Sequence, residues 1–334
     1  MNNEQSMAGA AREGPLLLGR AEFDATAMWK NFPLKLTHEG KRLVFEQAGG
    51  VARLPSGSLR VARYAPVALP SALPRGRPEF RSSESAYNYP SPDTNTDEWH
   101  VNFANAYLFC AYGAPAFAQD EIQVAEHPVL GSLLEALSAE RQQGLSPLTV
   151  ESGRPTPIVI RGAERWCTID TDPDLAMPYG IYGRRFRTAK ADAVRQAVTR
   201  LDGSYRTNLI AMEAPMGAGR YTAEQIGFVL ETAWSGFAAA RLESTVGHRV
   251  TIHTGHWGTG AYGGNRVLMA ILQMLAARLA GIDRLVYHSI DTDGLDAYAE
   301  ACRIEARLGL ANQVAEAIDE IVNLGFSWGS SDGN

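Results

Sequence analysis

A glycine-rich stretch, HTGHWGTGAYGGNR, spans residues 253–266 and holds five glycines within ten residues, from Gly255 to Gly264. A hydrophobic run at residues 249–253 precedes it, and an apolar-periodic segment over Val267–Leu279 follows it. Strand, glycines and helix in this order place free backbone N–H groups at a helix N-terminus, where the unpaired donors and the helix dipole favour an anion. Glycine also lets a backbone approach a phosphate closely. The stretch therefore predicts a phosphate or diphosphate cradle, and the alternative is a turn that only packs tightly.

Two adjacent acids, Asp120 and Glu121, open a predicted helix and could do acid–base chemistry. Three amide side chains lie close to them in the sequence: Gln119, Asn102 and Asn105. Acids in a first helical turn often only complement the helix dipole. The segment over residues 101–118 is, however, too apolar for a solvated loop, so we expect the acids to border a buried cleft. Apolar walls raise the pKa of a carboxyl group, which can then serve as a general acid.

The glycines also form a literal G-x-G-x-x-G at positions 258, 260 and 263, and the next predicted strand ends near Asp291, which could hold a ribose hydroxyl. These features would fit a Rossmann dinucleotide site. Two observations count against it. Trp257 and Tyr262 are bulky for such a turn, and too little chain follows the loop to build a second mononucleotide-binding half. An NAD site is therefore the least favoured interpretation of the loop.

The composition excludes several classes of protein. The chain has 334 residues, of which 45% are hydrophobic, so it can build one large domain or two small ones. Its net charge is −6, without the basic cluster that a nucleic-acid-binding protein carries. The longest apolar stretch, Leu268–Gly281, is too short and too polar to span a bilayer. Because residues 1–14 lack the apolar core of a signal peptide, we expect a cytoplasmic protein, although specialised secretion routes leave no such mark.

Cysteine and histidine usage indicates neither disulfides nor a metal site. The three cysteines, Cys110, Cys167 and Cys302, lie far apart, and each is expected to be a small buried apolar residue. The seven histidines are scattered, and neither C-x-x-C nor H-E-x-x-H occurs. We therefore expect neither a metal nor a cofactor.

Strand and helix patterns alternate from about residue 99 onward and predict an α/β sheet covered on both faces. The first predicted strand begins at residue 99, and the others span residues 156–162, 208–215, 249–254 and 284–290. The predicted helices lie at 121–139, with a break or start at Pro128, and at 188–201, 222–242, 267–279, 297–308 and 313–324. Residues 1–75 are predicted to form an N-terminal accessory segment, and residues 76–330 the main domain.

Together, the two motifs resemble those of the poly(ADP-ribose) glycohydrolases, a family with the macrodomain fold. That family carries DFAN at a strand end, a Gly-Gly-Gly stretch, QEE at a helix start and, later, GNWGCGAFGGD. This chain has NFAN at 102–105, QDE at 119–121 and GHWGTGAYGGN at 255–265, followed by MAILQMLAA and LVYHSI. The resemblance covers roughly residues 95–290. It implies a three-layer α/β/α sandwich with a mixed central sheet and an N-terminal extension.

The resemblance also implies roles for individual residues. Glu121 matches the family's catalytic glutamate, which protonates the leaving group at the anomeric carbon of a ribose and then activates water. Asp120 matches the neighbouring glutamate, which binds ribose hydroxyls. Tyr262 replaces a phenylalanine that packs against the distal ribose, and the backbone from Gly258 to Tyr262 matches the diphosphate loop. The residues predicted to bind substrate are Asn102, Asn105, Gln119, Trp257, Gly258, Thr259, Gly260, Ala261 and Tyr262.

The chain departs from the family where the leaving group would lie. Phe109-Cys110-Ala111 replaces Gly-Gly-Gly, so we expect the ring of Phe109 to occupy space near the scissile bond. Asn102 and Asp120 replace an aspartate and a glutamate. These changes favour removal of single ADP-ribose units from modified proteins, with arginine as the favoured linkage and ADP-ribose and ADP-ribosylated proteins as partners. The alternatives are a true poly(ADP-ribose) glycohydrolase and a module that binds ADP-ribose without cleaving it.

Overall fold

A computed structural model describes residues 14–66, 68–91, 93–140, 144–173, 180–308 and 311–331. The strands are β1 (Leu16–Asp24), β2 (Ser58–Ala65), β3 (Glu79–Ser83), β4 (Thr96–Phe103), β5 (Val150–Glu151), β6 (Arg154–Pro155), β7 (Ile158–Ile169), β8 (Val198–Met212), β9 (Arg249–Gly255) and β10 (Arg284–His288). The helices are α1 (Ala25–Asn31), α2 (Glu39–Ala48), α3 (Gln119–Glu126), α4 (Val129–Ala139), α5 (Ala191–Ala197), α6 (Ala223–Glu243), α7 (Arg266–Ala280), α8 (Thr292–Leu308) and α9 (Val314–Leu324).

Within the described residues, eight strands form one mixed sheet in the order β1-β2-β7-β8-β4-β9-β10-β3. The strands β8, β4, β9, β10 and β3 run parallel to one another. At the other end of the sheet, β1, β2 and β7 pair in antiparallel fashion, and β7 is also antiparallel to β8. The carboxyl ends of the parallel strands therefore meet at one edge, where ligands of open α/β sheets bind.

Alternate residues of the central strands face two separate cores. On β8, Ile210 and Met212 pack with α6 to α9, whereas Leu209 and Ala211 pack with α1, α3 and α4. This alternation follows from the two-residue period of a strand. The result is a three-layer α/β/α sandwich, which confirms the predicted fold class.

The N-terminal extension is built into this sandwich. Its strands β1 and β2 continue the sheet beyond β7, and the Tyr64 hydroxyl of β2 donates a 2.6 Å hydrogen bond to Glu243 at the end of α6. Its helix α2 packs against α3 and α5. The predicted domain boundary at residue 75 stays a prediction. The first 13 residues of the predicted N-terminal segment lie outside the described part of the chain.

Most predicted elements form, with one clear exception. The predicted helix over 188–201 ends at Ala197, because residues from Val198 onward pair with the end of β7 at Ile169. Val198 and Thr199 are β-branched and suit a strand, so sheet pairing overrides the helical pattern. The predicted break at Pro128 is confirmed, since it separates α3 from α4. Among the helices that the structure describes, none is long and apolar enough to cross a membrane.

Candidate active site

Three parallel strands deliver the predicted site residues to one edge of the sheet. β4 and β8 end in register, with Phe103 opposite Met212, and β9 ends beside them at Gly255. After these ends, β4 leads into the loop before α3, β8 into the turn that starts at Glu213, and β9 into the glycine loop. The two sequence motifs, more than 100 residues apart in the chain, therefore meet in space.

The acid pair is buried at the start of α3, where Asp120 is 4% and Glu121 5% exposed. The Asn102 side chain on β4 donates through Nδ2 to Asp120 Oδ1 at 2.9 Å and to Gln123 Oε1 at 2.8 Å. Within the described residues, Asp120 Oδ2 and Asn102 Oδ1 have no hydrogen-bond partner. Burial and the nearby charge of Glu121 raise the pKa of Asp120 to about 7, against the opposing effects of Asn102 and Lys41.

Glu121 holds the helix start in place. Its Oε2 accepts a 2.8 Å hydrogen bond from the backbone N–H of Ala118, the N-cap residue of α3. This is the reciprocal contact that an acid at the third helical position makes. Such a contact fixes the carboxyl group beside Asp120, and the catalytic role of Glu121 stays a prediction.

Gln119 fastens α3 to the end of β4. Its Oε1 accepts from the backbone N–H of Phe103 at 2.8 Å, and its Nε2 donates to the carbonyl oxygen of Val101 at 3.1 Å. Both bonds go to backbone, so the side chain positions the acid pair relative to the strand. Its predicted contact with a ligand stays a prediction.

Tyr262 links the glycine loop to the two other strand ends. Its hydroxyl lies 2.8 Å from Asn105 Oδ1 and 3.3 Å from Glu213 Oε1 and can donate to either. Glu213 was not predicted as a site residue, although an acid directly after a buried strand that ends at this edge is a usable signal. Burial raises the pKa of its carboxyl group, while the Ala106 backbone and Tyr262 act in the opposite direction.

The stretch that replaces Gly-Gly-Gly differs from the sequence-based expectation. Phe109 adopts φ 52°, and its fully buried ring packs in the core with Leu130 and Leu133. The prediction that this ring occupies ligand space is therefore wrong, because the left-handed backbone turns the side chain into the core. Cys110, predicted to be buried, is exposed. Partial burial and the charges of Asp120 and Glu121 raise the pKa of its thiol, so Cys110 borders the acid pair.

Several residues of the glycine loop serve its own packing. A Cβ on Gly258, which has φ 74°, would lie 2.6 Å from Ala214 Cβ and from Met269 Cε. A Cβ on Gly264 would lie 2.4 Å from the Gly258 carbonyl oxygen. The tight-packing alternative thus accounts for these two glycines. Gly260 does not have the positive φ of Gly258 and is the glycine best suited to testing ligand approach.

Side chains of the loop also hold it in place through hydrogen bonds to backbone carbonyl oxygens. The Trp257 indole is buried and donates to the Met212 carbonyl oxygen at 3.0 Å, and the Thr259 hydroxyl donates to the His256 carbonyl oxygen at 2.9 Å. Asn265 caps α7 by accepting from the Leu268 N–H at 3.1 Å. Any contact of Trp257 with a ligand would therefore come from its backbone. In the described ranges, no group of three or more His, Cys, Asp or Glu side chains is arranged to hold a metal ion.

Residues 155–297 match the family described as poly(ADP-ribose) glycohydrolase, macro domain fold. This match confirms the resemblance predicted from the motifs. It includes the glycine loop and Glu213, whereas the acid pair lies before it.

Solved structures give more distant similarities. The poly(ADP-ribose) glycohydrolase of Thermomonospora curvata has 17% identity, 85% coverage of both chains and a TM-score of 0.45. That of Deinococcus radiodurans in complex with ADP-ribose has 12% identity, with 86% of this chain and 94% of that chain covered and a TM-score of 0.40. A macrodomain of Oceanobacillus iheyensis with MES bound has 13% identity, 63% and 86% coverage and a TM-score of 0.36. Comparison with curated proteins gave no match.

The buried Asp120 predicts a stability that depends on pH in a defined direction. Its pKa is raised from an ordinary value of 3.8 to about 7, so the folded state binds a proton that the unfolded state lacks between these values. The stability deficit of the wild type relative to Asp120→Asn should therefore shrink as the pH falls from about 7 toward 4, and Asp120→Asn should be more stable than wild type by at least about 2 kcal/mol at pH 8. Urea unfolding at pH 5, 6 and 8 measures both effects.

The matched control is Asp202→Asn, because the Asp202 side chain is 94% exposed. This variant should track the wild type at each pH. An Asp120→Asn protein that is less stable than wild type at pH 8 would contradict the assignment of a strained, ionised carboxylate at this position.

Proposed function

We propose that this chain, whose residues 155–297 match the poly(ADP-ribose) glycohydrolase family, is an ADP-ribosyl glycohydrolase that removes ADP-ribose from modified proteins. The observation that carries the proposal is the pair of buried carboxyl groups, Asp120 and Glu121, at the sheet edge that also holds the glycine loop. A module that only binds ADP-ribose has no need for two carboxyl groups held out of water. A phosphate cradle beside an acid pair suits cleavage of the glycosidic bond that joins an ADP-ribosyl group to its leaving group.

In this proposal the diphosphate of ADP-ribose lies on the backbone from Gly258 to Tyr262. The N–H groups of this loop and the positive end of α7 supply the attraction. The distal ribose then extends from the loop toward α3. Tyr262, whose hydroxyl is held between Asn105 and Glu213, packs against that ribose and orients its anomeric carbon.

The chemical step uses the two acids in different roles. Glu121 protonates the leaving atom bonded to the anomeric carbon and afterwards removes a proton from the attacking water. Asp120 binds the ribose hydroxyls. Burial and mutual repulsion disfavour the state in which both carboxyl groups are ionised, so the pair favours a state with one proton. Such a pair can provide an acid and an ionised carboxylate at the same pH.

Charge at the leaving-group side supports mono-ADP-ribosyl arginine as the substrate. The charges of Asp120, Glu121 and Glu213 all raise the pKa of the Cys110 thiol, so the three acids act on one place beside the acid pair, and there we place the leaving group. An arginine leaving group is a cation and gains from the net negative charge of these acids, whereas a polymer ribose hydroxyl gains nothing. The family description favours the second candidate, hydrolysis of poly(ADP-ribose).

Glu121→Gln should keep the fold and most ADP-ribose affinity but lose about 10²–10⁴-fold in kcat, because a general acid–base is removed. The measurement is release of ADP-ribose from a labelled ADP-ribosyl protein, with affinity followed by calorimetry. The control is Glu224→Gln, which changes an exposed acid in the first turn of α6. If Glu121→Gln retains near-normal turnover, the general acid is another carboxyl group. If the wild type binds ADP-ribose without releasing it from any linkage, the protein is a binding module.

The linkage is tested by kcat/KM on paired substrates. An arginine-linked mono-ADP-ribosyl protein should be cleaved faster than poly(ADP-ribose), and Glu213→Gln should reduce the advantage, because one of the three acids loses its charge. Serine- and glutamate-linked proteins serve as further comparisons. Faster cleavage of the polymer by the wild type would reverse the linkage and leave a poly(ADP-ribose) glycohydrolase.

A further inference from the structure

Lys41, on helix α2 of the N-terminal extension, is a buried cation. Its side chain is 2% exposed, and Nζ finds no partner among the described residues. An unpaired ammonium group in a protein interior destabilises the fold and is rarely retained without a use. The position lies outside both the family match at 155–297 and the sequence resemblance at roughly 95–290.

The surroundings of Lys41 direct its charge toward the acid pair. Nζ lies 4.8 Å from the ring centroid of Phe117 and 5.8 Å from that of Phe186, so aromatic faces partly stabilise the cation. Phe117 directly precedes the N-cap residue of α3, and α2 packs against α3. The ammonium group is thus held beside the first turn of α3, which contains Asp120 and Glu121. Asp120 Oδ2 is itself buried and has no hydrogen-bond partner in the part of the chain that the structure describes.

We propose that Lys41 is a positioning residue whose buried positive charge limits the Asp120–Glu121 pair to a single proton at neutral pH. The proposal rests on the proposed function, since it assigns Lys41 to the machinery of the same site. It also gives the N-terminal extension a part in that site. Lys41 acts through the carboxyl groups and needs no contact with substrate.

The electrostatics of the groups that face the pair agree with this role. Burial lowers the pKa of Lys41 to about 8, and Glu121 and Asp120 act against that decrease, so the ammonium form persists at neutral pH. Among the described residues, Cys110 and Tyr262 are the other titratable groups on which the charge of Asp120 acts, and neither carries a positive charge. His38, one turn before Lys41, has a lowered pKa caused by burial and by Lys41, so it is neutral.

The test compares Lys41→Met with Lys41→Arg, which keeps the charge. Without the cation, the carboxyl pair holds its second proton to higher pH, so the acidic limb of the kcat/KM profile should move up by about one pH unit in Lys41→Met and return in Lys41→Arg. Lys41→Gln is the second neutral variant, in case methionine disturbs the fold. Lys30→Met, on the exposed side of α1, is the surface control and should leave the profile unchanged.

A second readout is independent of turnover. Urea unfolding from pH 5 to 9 gives the contribution of Asp120 as the difference in stability between each protein and its Asp120→Asn variant. On acidification this difference should begin to shrink at a higher pH in the Lys41→Met background than in wild type. If the wild type releases ADP-ribose but the neutral variants change neither limb nor unfolding profile, the proposal for Lys41 is overturned while the function stands. If the unfolding profiles couple as expected but no substrate is cleaved, the coupling stands and the proposed function fails.

Discussion

Two carboxyl groups on consecutive residues are held out of water at the start of α3, and the rest of the site is arranged around that constraint. A buried carboxylate is costly, and two adjacent ones cannot both ionise cheaply. The structure meets this cost with one amide donor, Asn102 on β4, one cation, Lys41 on α2, and the backbone N–H of Ala118. One carboxylate oxygen of Asp120 has no partner among the described residues and is therefore an unsatisfied hydrogen-bond acceptor. A ribose hydroxyl is the kind of group that would satisfy it.

The register of the sheet fixes the positions of the residues around the acid pair. The parallel register of β4, β8 and β9 sets Asn105, Glu213 and the glycine loop side by side, and Tyr262 joins all three through one hydroxyl. Gln119 ties α3 to the backbone at the end of β4. Helix α2 of the N-terminal extension packs against α3, so a segment outside the family match contacts the helix that carries the acid pair.

The alternation of strands and helices was enough to predict an α/β sheet covered on both faces, because that alternation is a local pattern. The sandwich architecture and the meeting of the acids with the glycine loop were implied by the family resemblance. Residues whose place depends on the sheet order were not predictable. His100 and His253 look scattered in the sequence, yet β4 and β9 pair them in register and their rings stack at 4.4 Å. Phe109 was misplaced because a positive φ reverses the direction of a side chain. Lys41 was missed because its segment had no recognisable motif.

The central claim is that ADP-ribose spans the glycine loop and the acid pair. A crystal structure of Glu121→Gln with ADP-ribose tests it directly, since this variant should bind without turning over. We expect the diphosphate within hydrogen-bond distance of the backbone N–H groups between Gly258 and Tyr262, with a distal ribose hydroxyl on Asp120 Oδ2. A ligand bound elsewhere, or one whose distal ribose points away from α3, would contradict the account.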